Sequence, residues 1–297
     1  MTFTTLRWVV LVAFIALTIC GNVLVCLAVA TSRRLHQISS CFILSLAVTD
    51  LLLGLLVLPL SAMLELRNGR WPLGGVFCNI YISLDVMLCS ASILTLLAIS
   101  VDRYLAISSP LCYPRRVTPR RVAITLTGIW TCSLAVSFVS INLGWNTPNF
   151  REGRTCRYEW NNKYVLLKAF GIFYLPLLVM CGMYHRIFCV AREQVRFFTW
   201  AANAVATARE HKATVTLAAV LGAFVICWFP YFTYFTYMGM WAETHPNKLT
   251  HSIVLWLGYL NSALNPILYP ALNRDFRRAC AQLLCCRRSN QGDFPFV

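Results

Sequence analysis

Seven stretches of apolar residues, each long enough to cross a bilayer as a helix, dominate the chain. They cover about residues 8–30, 41–64, 76–107, 122–143, 164–190, 213–238 and 253–272. A helix rises 1.5 Å per residue, so about 20 apolar residues cross roughly 30 Å of hydrocarbon. A soluble domain carries about a quarter of its residues as charges; here 12% are charged and 58% are hydrophobic. In lipid, each segment must satisfy its own backbone hydrogen bonds, and that selects helices. The expected fold is an all-α membrane protein, a seven-transmembrane helix bundle. Residues 273–284 add a short amphipathic eighth helix. Residues 1–286 then form one transmembrane domain, and 287–297 a short cytoplasmic tail.

Charge orients the bundle. Alternate connectors carry Arg33 and Arg34, then Arg115, Arg116, Arg120 and Arg121, then a cluster from Arg192 to Lys212, then Arg274 to Arg288. That set holds fifteen basic residues, against eight on the other side. The positive-inside rule makes the richer set cytoplasmic, so the N-terminus is extracellular and the C-terminus internal. The expected setting is the plasma membrane, with multiple crossings. A net charge of +15 in a soluble protein would suggest nucleic acid. Here it forms a collar facing the anionic inner leaflet, so the lipid bilayer is the partner and no nucleic acid is expected. The first run is too long for a cleaved signal peptide and reads as a signal anchor.

Of the 14 cysteines, only Cys78 and Cys156 fall on the outer, oxidising side. One disulfide between them is the economical reading; two free thiols are the alternative. Cys285 and Cys286 lie just past the amphipathic stretch, where cysteines are candidate palmitoylation sites; unmodified thiols are the plainer reading.

A charge at the bilayer centre costs about 2.5–3.5 kcal/mol on insertion scales, so each one needs a reason. Asp85 lies seven residues beyond Cys78, about 10 Å below the outer surface. A carboxylate there suits an ammonium ligand; pairing with Lys168 is the structural alternative. Trp228, Tyr231, Phe232, Trp256 and Tyr259 offer ring faces that attract a cation, or else simply pack the core. Asp50 lies deep in the second run. With Ser92, Asn261, Ser262 and Asn265 it can hold a monovalent cation, or stay protonated in a hydrogen-bonded network. No metal-binding His pair, nucleophile elbow or phosphate loop is present, so no enzyme is expected.

These residues sit in a set of motifs, one per run: Gly21-Asn22, Leu46-Ala47-Val48-Thr49-Asp50, Asp102-Arg103-Tyr104, Trp130, Pro176, Cys227-Trp228-Phe229-Pro230 and Asn265-Pro266-Ile267-Leu268-Tyr269. The set resembles the rhodopsin-class G-protein-coupled receptors. Asp85 with Tyr259 is similar to their aminergic branch, and Ser83–Cys89, Tyr174–Cys181 and Val254–Tyr269 resemble its histamine type-2 members. The resemblance implies a small amine ligand, a heterotrimeric G protein of the stimulatory kind and rising cAMP. No cofactor is implied beyond an allosteric sodium ion at Asp50, Ser92, Asn261 and Asn265. It further implies an inner latch between Arg103 and both Asp102 and Glu210, with Tyr184 and Tyr269 turning in to support Arg103.

The fifth run departs from that pattern. Where those receptors hold the imidazole end of histamine with an acid and a hydroxyl, this chain has Lys168 and Ile172. Lys168 either snorkels to the outer interface or faces the pocket. In the second case the ligand shifts toward a zwitterion or an acidic-tailed amine. A trace-amine-type receptor is a related alternative, and an ion channel or transporter a remote one, disfavoured by the absence of internal repeats. None of the four lysines lies in the seventh run, which excludes a retinal Schiff base there.

Overall fold

The computed structural model describes residues 3–109, 111–144, 156, 161–198, 204–241, 247–272 and 274–284. Eight principal helices follow one another: α1 (Phe3–Thr31), α2 (Ser40–Leu66), α3 (Gly74–Ser108), α4 (Pro119–Asn142), α5 (Asn162–Phe198), α6 (Ala204–Met240), α7 (Lys248–Leu272) and α8 (Arg274–Leu284). Most extend a few residues past the apolar runs, because polar end turns can hydrogen-bond to water at the interface. Thr118 caps α4, accepting from the Arg121 amide, with Pro119 in the first turn, where a missing N–H costs nothing. Asn161 caps α5 by accepting from the amides of Lys163 and Tyr164.

Six of these helices are long and apolar enough to cross a membrane, namely α1 to α6. The seventh, α7, is 25 residues long but carries Asn261, Ser262, Asn265 and two prolines, Pro266 and Pro270. Its polar residues face inward, so the bundle rather than lipid solvates them. The outward faces carry exposed Val10, Leu55, Ile124, Leu178 and Ile226, an apolar belt that water would disfavour and hydrocarbon accepts.

The helices close into a ring, with α1 against α2 and α7, α2 against α3, and α5 and α6 leading to α7. Helix α3 is the central strut: 72% of its apolar span is buried, against 17% for α1. At the α1–α7 seam a Cβ on Gly21 would stand 2.6 Å from Pro266 Cγ, so only glycine permits this approach. The amphipathic α8 follows α7 and buries Phe276, Ala279 and Cys280 while Arg274, Arg277 and Arg278 stay exposed. That is the spacing of one helical face.

Three transmembrane helices contain a wide π turn: Leu53–Val57 in α2, Ala135–Val139 in α4 and Ala169–Tyr174 in α5. In α2 and α5 a proline follows within two residues, Pro59 and Pro176. A proline cannot donate to the preceding turn and its ring crowds that turn's carbonyl, and the wider turn makes room. In α4 the hydroxyls of Ser137 and Ser140 instead bond the carbonyls of Leu134 and Ala135.

Candidate functional site

Asp85, Cys89 and Ser92 share one face of α3, at helical spacing. Asp85 is 3% exposed. Tyr259 Oη on α7 donates to its Oδ1 at 3.0 Å, and Cys89 Sγ lies 3.5 Å from the same oxygen. The Tyr259 hydroxyl also lies 3.3 Å from Ser61 Oγ, which is 2.8 Å from Tyr81 Oη. Residues from α2, α3 and α7 thus hold one carboxylate in place. The disulfide Cys78–Cys156 ties the N-terminal end of α3 to a residue between α4 and α5.

An aromatic wall rises from α5 and α6 in the same buried cluster. Phe173 and Phe232 stack with centroids 4.4 Å apart, and Trp228 meets Tyr231 edge-on at 5.7 Å. The Trp228 ring lies on the α7 backbone at Gly258, where a Cβ would come within 3.2 Å of it. Trp256 packs edge-on against Tyr259 at 5.6 Å.

Two turns further in, Asp50 is fully buried and accepts from Ser262 Oγ and Asn265 Nδ2, each at 2.7 Å, and from Ser92 Oγ at 3.5 Å. Asn22 on α1 braces this centre by donating to the Ser262 carbonyl at 3.1 Å. Asn261 is buried nearby, but its amide nitrogen has no hydrogen-bond partner among the described residues. At the C-terminal end of α3, Arg103 pairs with Asp102 at 2.9 Å, and the other Asp102 oxygen accepts from Tyr113 at 2.8 Å. Tyr104 is half-buried beside them. Tyr184 lies 3.2 Å from Ser100 Oγ, and the half-buried Tyr269 lines with it a small apolar cavity, which Leu96, Met180 and Phe224 also line.

The pattern described as 7 transmembrane receptor (rhodopsin family) matches residues 21–269. This chain belongs to that family. The receptor is 57% identical to the histamine H2 receptor of Homo sapiens over 293 residues, 96% of this chain and 80% of that protein. It is 58% identical to the histamine H2 receptor of Rattus norvegicus over 287 residues, 94% of this chain and 79% of that one. With the alpha-1A adrenergic receptor of Cavia porcellus the identity is 36% over 324 residues, 96% and 69% of the two chains.

Lys168 does not snorkel. It is 3% exposed, with Nζ 4.9 Å from the Phe235 ring centroid and 5.7 Å from that of Tyr231, within coulombic reach of Asp85. Ile172 is buried on the same helix. The receptor therefore brings together Asp85, Tyr259, Trp228, Tyr231, Phe232, Lys168 and Ile172 in one core, and Asp50 with Ser92, Ser262 and Asn265 in another. Asn261 makes no hydrogen bond to Asp50 there. The side chain of Glu210, and Cys285 and Cys286 altogether, lie outside the described residues.

Sequence reasoning missed Ser61 and Tyr113. Ser61 sits eleven residues beyond Asp50 with a π turn between them, so simple helical counting does not put it beside Tyr259. Tyr113 lies in a one-turn helix within an arginine-rich connector, Tyr113–Arg116, and no local pattern marks it as a partner of Asp102.

Proposed function

We propose that this receptor binds a small biogenic amine, in the manner of the histamine H2 receptors it resembles, and signals through the stimulatory G protein to raise cAMP. The observation that carries this reading is the buried Asp85 carboxylate, oriented by Tyr259 and flanked by aromatic rings. A fixed carboxylate in low dielectric attracts an ammonium far more strongly than one in water. Its site opens to the extracellular side, with the N-terminus outside and the basic collar at the plasma membrane's inner leaflet.

Binding acts as a bias between two conformations: an agonist favours the one it binds better. Ligand beside Asp85 meets Tyr231 and Phe232 and, one turn deeper, Trp228. Pro230 removes a backbone bond from α6 and makes that helix a lever. At the inner end, Arg103 is held by Asp102, with Glu210 as a further partner; release of Arg103 opens a cleft for the G protein, supported by Tyr184 and Tyr269. Palmitoylation at Cys285 and Cys286 would fix α8 to the membrane.

The residues around Asp50 fit a monovalent cation. The Asp50 carboxylate and the hydroxyls of Ser92 and Ser262 are hard oxygen donors, and Asn261 and Asn265 complete the polar wall. Such an ion, allosteric sodium, would offset the buried negative charge and favour the resting packing.

The test is a cAMP assay of biogenic amines, histamine among them, on cells expressing wild type and Asp85→Asn. A response in wild type that falls about a hundredfold or more in potency in the variant supports the reading. An amine response unchanged in Asp85→Asn at matched surface expression would overturn it.

A further inference from the structure

Arg7 and Phe14 lie seven residues apart on α1, and Ser61 and Glu65 four apart on α2. On α7, Ser252, Trp256 and Tyr259 follow at spacings of four and three. Each set shares one face of its helix, and the three faces meet where α1, α2 and α7 pack together. Glu65 is the joint. One of its carboxylate oxygens pairs with the Arg7 guanidinium, and the other accepts from Ser252 Oγ at 2.7 Å. One turn back along α2, Ser61 Oγ lies 3.3 Å from the Tyr259 hydroxyl that donates to Asp85. Trp256, between Ser252 and Tyr259 on α7, meets Phe14 edge-on at 5.5 Å and Tyr259 edge-on at 5.6 Å. Two polar links and a chain of rings thus join Glu65 to the site. The Arg7–Glu65 pair is partly exposed, and such pairs add little stability of their own. What the pair supplies is direction: it holds the carboxylate that holds α7.

We infer that Glu65 is a positioning residue for the amine site. Through Ser252 it fixes the N-terminal half of α7 against α2, and so keeps the Tyr259 hydroxyl aimed at Asp85. Without that link, α7 regains freedom that binding must remove again, and the cost appears as lost affinity. The Arg7 guanidinium offsets the Glu65 charge, so the role is geometric rather than a direct pull on a cationic ligand. This rests on the amine reading of Asp85 given above.

The test measures dissociation constants of histamine and 2-phenylethylamine for the purified full-length receptor in lipid nanodiscs, by microscale thermophoresis. Ser252→Ala leaves Arg7 and Glu65 in place and cuts only the link to α7. It is expected to weaken both amines by about threefold to tenfold, the scale of one hydrogen bond. Glu65→Ala is expected to match it. Glu65→Gln, whose amide oxygen can still accept from Ser252, is expected to recover most of that loss. In a Tyr259→Phe background, Ser252→Ala and Glu65→Ala are each expected to cost less than about twofold, because residues that act through one another are not additive. A role confined to folding would instead lower the melting temperature and leave the affinities additive. Additive losses, unchanged affinity in both Ser252→Ala and Glu65→Ala, or a Glu65→Gln receptor as weak as Glu65→Ala overturn the positioning role. The last of these would assign the effect to charge. In each case the amine reading still stands if Asp85→Asn loses both probes. Amines that bind wild type and Asp85→Asn alike, or no binding to wild type at millimolar concentration, overturn both.

Discussion

The hydroxyl of Tyr259 donates to Asp85 Oδ1 at 3.0 Å across the α3–α7 seam. One oxygen of the proposed counter-ion is thus engaged before any ligand arrives, which fixes the carboxylate's rotamer. Preorganisation of this kind lowers the ordering cost of binding. Tyr259→Phe keeps the ring against Trp256 and removes only the hydroxyl. Its expected effect is a loss of about tenfold in amine affinity, the scale of one hydrogen bond to a charge. Displacement of a labelled amine measures it; unchanged affinity would count against the role given to Tyr259.

Asp50 is tied to α3 through Ser92 and to α7 through Ser262 and Asn265. If sodium binds there, it stabilises the packing that holds it. Replacing sodium chloride with N-methylglucamine chloride is expected to lower the melting temperature of the wild-type receptor and raise agonist affinity. Asp50→Asn removes the charged ligand and is expected to abolish both responses. A variant that still responds to sodium places the ion elsewhere.

Arg103 shares the Asp102 carboxylate with Tyr113. Burial first, and then the Asp102 carboxylate, push the Tyr113 phenol above its ordinary range. The proton it donates is therefore present at neutral pH, and its contribution is lost only as pH rises through that raised value. Tyr113→Phe frees one Asp102 oxygen, and Glu210→Ala removes the proposed second partner of Arg103. A partly exposed ion pair contributes under about 1 kcal/mol, so each variant is expected to raise basal cAMP by no more than about fivefold. Basal cAMP equal to wild type at matched surface expression would remove Glu210 from the latch.

Gly21 lets α1 approach Pro266 on α7 at a distance no Cβ allows. Gly21→Ala is expected to push the two helices apart and to destabilise the receptor by about 1–3 kcal/mol, the usual cost of overpacking. The bond from Asn22 to the Ser262 carbonyl would weaken with it. A melting temperature within one degree of wild type would show that the seam adjusts without strain.

Where the helices fall, and much of their chemistry, is written locally. Asp85 and Ser92 share a face of α3 because seven residues are close to two turns, and Phe276, Ala279 and Cys280 form the buried face of α8 for a similar reason. Cys78 and Cys156 could be matched from topology and compartment alone, and they are joined in the structure. Residues that act across long separations carry no such mark. Ser61 reaches Tyr259 and Tyr113 reaches Asp102 only because separate segments meet.

The sequence by itself determined that this chain spans a membrane seven times, with acidic side chains at Asp50 and Asp85 that an apolar environment must have some reason to hold. Helical periodicity and the cost of charge in hydrocarbon are local rules, readable one segment at a time. Only the tertiary structure decided that Asn261 makes no hydrogen bond to Asp50 and that Lys168 lies inside the bundle. For Lys168 the cause is physical and specific. The π turn Ala169–Tyr174 separates it from Pro176, so counting at 3.6 residues per turn cannot fix its direction. The rings of Phe235 and Tyr231, from a different helix, provide the surface against which its ammonium rests.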